Sequence, residues 1–116
     1  MPLLPSLPGV DTELGLSRAG GALPLYLRFL KRFPEDDSFS KLLLALDIGD
    51  LSSAFLCAHT LKGLCAQLGI TALGEPVSEL CELLRPLNPA ILPSARQMAE
   101  RIQPVYVLIC ESLCAL

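Results

Sequence analysis

No stretch of this sequence is apolar for the roughly 20 residues that a membrane-spanning helix needs. Leu42 to Leu46 is bounded by Lys41 and Asp47, and Val105 to Cys110 is closed by Glu111, so membrane insertion is not expected. The opening Met-Pro-Leu-Leu-Pro-Ser-Leu-Pro-Gly lacks both the basic residues and the unbroken apolar segment of a secretory signal. Residues 1–9 read instead as a flexible, Pro-stiffened tail ahead of a single domain over 10–116. A block of like charge is missing as well. Nine Lys and Arg stand against twelve Asp and Glu, a net charge of −3, which offers no electrostatic grip on nucleic acid or on an anionic membrane.

Histidine is scarcer still, since His59 is the only one. The five cysteines, Cys57, Cys65, Cys81, Cys110 and Cys114, are odd in number and form no Cys-x-x-Cys pair. A zinc cluster therefore has no ligand set, and buried thiols in a reducing cytoplasm are the expected state. Strand-like alternation between hairpin turns is absent, and so is any internal repeat. There is no Gly-rich nucleotide loop, no H-E-x-x-H and no Ser-His-Asp set. The chain is accordingly not expected to be an enzyme with a resident cofactor or metal.

What is present is apolar residues at helical spacing. Hydrophobic residues make up 52% of the 116 and charged residues 18%, with a mean hydropathy of +0.52, enough to build one core. Asp11 caps a short helix that stops at Gly20-Gly21. Leu23, Tyr26, Leu27, Leu30 and Phe33 recur at three and four, with Arg28, Lys31 and Arg32 on the other side. Pro34 then leaves two helices or one bent helix before the periodicity resumes over Phe39 to Leu46. Gly49-Asp50 is a stop and a start, and Leu51 to Leu68 follows as one helix. Gly69 ends it, Thr71 is expected to cap the next, and Pro76 pushes that helix's regular start toward Glu75. A last helix spans about Pro93 to Cys114 and should kink at Pro104. The expected fold is all-α, an antiparallel up-and-down four-helix bundle with a short extra N-terminal helix.

On the helix from Leu51 to Leu68, the residues Leu51, Ala54, Ala58, Leu61, Cys65 and Leu68 form the core stripe at 100° per residue. Ser52, Phe55, His59, Lys62, Gly63 and Ala66 form a second stripe beside it. His59 thus has a cation three residues on and a glycine four residues on, both on its own face. A glycine within a helix costs roughly 1 kcal/mol relative to alanine. Here it lies where a side chain would crowd the imidazole, so the position suits close approach by something large, such as another protein's active site. Phosphoryl transfer fits this patch. An ordinary imidazole is substantially unprotonated near neutral pH and can attack phosphorus through a ring nitrogen. The rest is in-line positioning and neutralisation of phosphoryl oxygens, to which Lys62 contributes.

The run Ala58-His59-Thr60-Leu61-Lys62-Gly63, followed by Ala66, Leu68-Gly69, Leu73 and Glu79-Leu80, resembles the histidine-containing phosphotransfer (HPt) domain family. The resemblance extends to Val10-Asp11, Arg18 to Gly21 and Gly49-Asp50. It implies that His59 is the phosphorylated residue, that Lys62 helps bind the phosphoryl group and that Gly63 leaves the histidine accessible. It implies a partner too, the receiver domain of a response regulator or hybrid histidine kinase, which supplies the aspartate and the Mg²⁺. Ser52, Phe55 and Ala66 are the candidate partner-binding surface, and a monomer is expected over a homodimer. Leu64 stands where many relatives carry a small residue. Cys81 falls where several carry a polar side chain near the histidine, leaving Glu79 or Glu82 as candidates to orient it. The alternative reading is a helical module that binds receivers or self-associates without being phosphorylated.

Overall fold

Asp50 sets the start of the central helix because its carboxylate accepts from Ser53 twice, from the amide at 3.1 Å and from the hydroxyl at 2.7 Å. The computed structural model describes residues 4–116, all helix, turn or coil with no strand among the described residues. The α-helices are α1 (Thr12–Arg18), α2 (Leu23–Arg32), α3 (Ser38–Ile48), α4 (Leu51–Leu68), α5 (Thr71–Leu84) and α6 (Leu92–Cys114). Gly49 and Gly69 close α3 and α4 in the left-handed region, at φ of +76° and +75°.

The stripe of Leu51, Ala54, Ala58, Leu61, Cys65 and Leu68 is buried along the whole of α4. It meets Leu42 and Ala45 of α3 and Leu73, Val77 and Leu80 of α5 in one core. Each fully buried leucine there contributes about 2 kcal/mol. α4 packs on α3 and α5, and α6 packs on both of those in turn. A cluster of Phe33, Phe39 and Tyr106, with ring centroids 6.1 and 4.4 Å from Tyr106, ties the end of α2 and the start of α3 to α6.

α1 and α2 meet the C-terminal end of α4, where a helix leaves its last carbonyls without partners. The Arg18 guanidinium donates to the Ala66 carbonyl, the Tyr26 hydroxyl to that of Leu68 at 2.8 Å, and the Asp11 amide to that of Gly69 at 2.6 Å. Gly15 lies directly beneath this cap. A Cβ there would overlap both the Tyr26 hydroxyl and the Leu68 carbonyl.

One open choice is settled and other expectations change. Pro34 sits in a single 3-10 turn, Phe33–Glu35, so α2 and α3 are separate helices, and the Asp36 carboxylate accepts from the Ser38 amide at 2.9 Å. The fifth helix begins at Thr71 and carries Pro76 inside it, and Thr71 is not its cap. Starting early buries Ile70 and Leu73 completely and lets the Ala72 amide donate to the Gly9 carbonyl at 3.1 Å, which offsets the bond that Pro76 removes. α6 starts at Leu92, after a 3-10 turn capped by Asn88, and continues as one helix through Pro104. Pro104 and Glu100, whose carbonyl it strands, are both exposed, so water satisfies that group. Of the expected tail, residues 1–3 lie outside the described residues. Leu7 packs against the core, and a Cβ on Gly9 would come within 2.6 Å of that of Ala72.

Candidate functional site

His59 lies at mid-length on α4 and is exposed, on the side away from the core stripe. Ser52 and Ala66 stand two turns before and after it, both exposed, which puts all three on one line. Phe55 is half-buried with its ring centroid 5.9 Å from that of His59. Lys62 is half-buried as well. The stripe seen in the sequence is therefore one continuous surface.

α5 returns alongside α4, with Gly74 against Cys65 near the turn and Arg85 against Phe55 at the far end. The Arg85 guanidinium sits 5.2 Å from the Phe55 ring centroid and is gripped by both carboxylate oxygens of Glu82, at 3.1 and 2.8 Å. Hydrogen bonds from Arg85 hold the Glu82 carboxyl below its usual range, and Glu82 raises Arg85. The pair is exposed, so its worth is positional more than energetic. It holds a second cation one ring away from His59. Lys62 is near enough to Glu82 and to Cys81 to lower both, although burial outweighs it and pushes the Cys81 thiol up.

Neither proposed carboxylate orients the imidazole. Glu79 lines a hollow with Met98 and Arg101 of α6, and Glu82 is turned to Arg85. Cys81 is fully buried, and the His59 ring has no hydrogen-bond partner among the described residues. Gly63 also differs from expectation. A Cβ there meets nothing within 4 Å, so a methyl group would not crowd the imidazole. The open space belongs to the outer surface.

Sequence reasoning missed two residues. Arg85 needed the α4–α5 hairpin to be drawn before it met Phe55, and the short Gly69 connection was the signal for that. Leu56 is 63% exposed, two turns before Gly63 on the same line, and its place outside the core stripe marked it as surface. Among the described residues, no group of three or more His, Cys, Asp or Glu is placed to hold a metal ion.

A family model, the Hpt domain, matches residues 25–105, from the first turn of α2 into α6 and across the whole of α4 and α5. The chain belongs to the Hpt domain family. No curated protein and no solved structure matches it. The Hpt match begins after α1, so the cap on the end of α4 is built from residues on both sides of its start. No helix of this Hpt domain is long and apolar enough to cross a membrane, among the described residues.

Proposed function

We propose that this Hpt domain is a phosphoryl carrier of a phosphorelay, accepting the group on His59 from a receiver-domain aspartate and passing it to another receiver. One observation carries the reading. The lone histidine is exposed on α4 with Lys62 and the Phe55-bound Arg85 on one side and clear space over Gly63 on the other. In the forward step a ring nitrogen attacks phosphorus, an N–P bond forms, and the P–O bond to the aspartyl carboxylate breaks. The carboxylate leaves with the electron pair. In the return step a second aspartate oxygen attacks and the imidazole leaves. Lys62 helps neutralise the phosphoryl oxygens while three centres are held in line, and Arg85, paired with Glu82, backs the Phe55 ring beside the histidine.

The receiver supplies the Mg²⁺ and the acidic pocket, and this chain contributes nucleophile, cations and docking face. It acts as a carrier and not as an enzyme in its own right. Ser52, Phe55, Leu56 and Ala66 surround His59 and make the contact with the receiver of a response regulator or hybrid histidine kinase. The closed ring of contacts among α3, α4, α5 and α6 supports an antiparallel up-and-down four-helix bundle. In this reading the single domain over 10–116 works as a cytoplasmic monomer.

The experiment is incubation with a phosphorylated receiver, following acid-labile label. Wild type becomes labelled and His59→Gln does not. Equal labelling of the variant would sink the proposal. Receiver binding that survives His59→Ala, with no transfer from any receiver tried, would instead favour a binding module that is never phosphorylated.

A further inference from the structure

A histidine that takes up and gives back a phosphoryl group has to present one ring nitrogen in line with phosphorus, and a misplacement of about 1 Å can cost about a hundredfold in rate. Proteins ordinarily fix such an imidazole through a hydrogen bond to its other nitrogen. His59 has no such bond among the described residues. The ring contact that it does have is aromatic.

Side chains on an α-helix lean toward its N-terminus, so each lies over the residue three or four positions before it. His59 therefore leans over Phe55, four positions back, while Gly63, four positions on, has no side chain to lean over His59 in turn. The Phe55 and His59 ring centroids are 5.9 Å apart with the planes at 46°, within the range of tilted aromatic pairs. Phe55 is half-buried and His59 exposed, so the phenyl ring is the anchored member of the pair. It is also braced from the neighbouring helix. The Arg85 guanidinium lies over it, 5.2 Å from the centroid, and Glu82, one turn earlier on α5, holds that guanidinium through both carboxylate oxygens at 3.1 and 2.8 Å. A two-point grip fixes the plane of the cation, which a single contact would leave free to turn. The contacts run in one chain from Glu82 to Arg85, from Arg85 to Phe55, and from Phe55 to His59.

We propose that Phe55 is the positioning residue of His59, holding the imidazole by ring contact in place of a hydrogen bond, and that Arg85 and Glu82 act on the histidine only through it, an assignment that rests on the carrier reading above. Arg85 then works by keeping a ring in place and not as a free cation. The two roles predict opposite signs for one substitution. Glu82→Gln removes a negative charge and loosens the grip on Arg85. A cation serving the phosphoryl oxygens or the receiver directly would work better without Glu82 beside it, whereas a brace would work worse. Arg85 and Glu82 are 51% and 57% exposed, so substituting either leaves the core intact.

The test is single-turnover transfer from a phosphorylated receiver over a range of receiver concentrations, together with NMR of the His59 side chain in the unphosphorylated protein. The maximal rate should fall about fivefold in Glu82→Gln and about tenfold in Arg85→Ala, with the half-saturating receiver concentration within about twofold of wild type in both. Phe55→Leu should slow the step about tenfold, and Phe55→Tyr, which keeps the ring, should restore it to within about twofold. In the NMR arm, the His59 χ1 couplings should report one rotamer in wild type and an average of rotamers in Arg85→Ala and Phe55→Leu. Faster transfer in Glu82→Gln, a raised half-saturating concentration at an unchanged maximal rate in Arg85→Ala, or His59 couplings identical in wild type and Arg85→Ala would overturn the proposal. The couplings need no phosphoryl group. Absence of label on wild type, with the NMR changes present, would therefore count against the carrier reading alone.

Discussion

Gly15 and Gly63 both lie inside helices, yet their surroundings are opposite. Around Gly15 there is no room, because the Tyr26 hydroxyl and the Leu68 carbonyl already occupy the place of a side chain. A Cβ on Gly63 would meet nothing within 4 Å. The first glycine is required by the fold, which brings α1 down onto the end of α4. The second is required by nothing in this chain, and its helix-propensity cost is unexplained unless something outside approaches. The same division runs along α4. One end is locked by three carbonyl contacts from α1, α2 and the segment before them, while the His59 face is flanked by a single chain of half-buried Phe55 and the exposed Arg85–Glu82 pair.

Gly15→Ala tests the locked end and should have the largest effect. Overpacking against backbone, with displacement of the Tyr26 hydroxyl from a buried carbonyl, should cost about 3 kcal/mol. Denaturant melts read it directly, and transfer per folded molecule should stay near wild type. A loss below about 0.5 kcal/mol would mean that α1 is not seated as described. Lys62→Ala tests the other side and should behave in reverse. Receiver-to-His59 transfer should slow by about tenfold to a hundredfold, since one charge on the phosphoryl oxygens is gone. Stability should fall far less. A melting loss with unchanged transfer would assign Lys62 to packing.

The contrast between the two glycines is sharpest at Gly63 itself. Gly63→Ala and Gly63→Gln should both stabilise the domain, by roughly 0.5–1 kcal/mol, because nothing obstructs the new atoms and the helix gains propensity. Only the longer side chain should slow transfer, by about tenfold, through misplacement of the receiver. Transfer at wild-type rate in Gly63→Gln would leave the glycine without a role.

The core stripe of α4 was legible because burial imposes the 3.6-residue period on side chains, and all six residues assigned to it are buried. His59, Lys62, Phe55, Ser52 and Ala66 were legible as one face by the same arithmetic. Prolines were read less well. Pro76 and Pro104 have known local costs, but whether a helix absorbs them depends on distant partners, here the Gly9 carbonyl under α5 and solvent beside α6. Gly15 was invisible for a related reason. Its need for a missing Cβ arises from Tyr26 and Leu68, one α-helix on and 53 residues on, and neither is a neighbour in sequence. Arg85 lay hidden until α5 was laid back along α4.

The smallest effect separates the two ends of α4. Near its C-terminus the Leu68 carbonyl is capped by the buried Tyr26 hydroxyl, whereas its N-terminal cap, Asp50, is exposed and titratable. Hydrogen bonds from the Ser53 hydroxyl and amide hold the Asp50 carboxyl below its usual range. The folded state therefore binds fewer protons than the unfolded state in that window. The cap's contribution is fully present above the unfolded pKa, near 4, and is lost as pH falls through the lower folded value. Asp50→Asn keeps an acceptor for the Ser53 amide but removes the titration. Between about pH 5 and pH 2 its Tm should decline less than that of wild type, while the Glu82–Arg85 pair contributes equally to both. Parallel declines would mean that the Asp50 cap is no tighter in the folded protein than in the unfolded chain, and that the buried end of α4 alone fixes its frame.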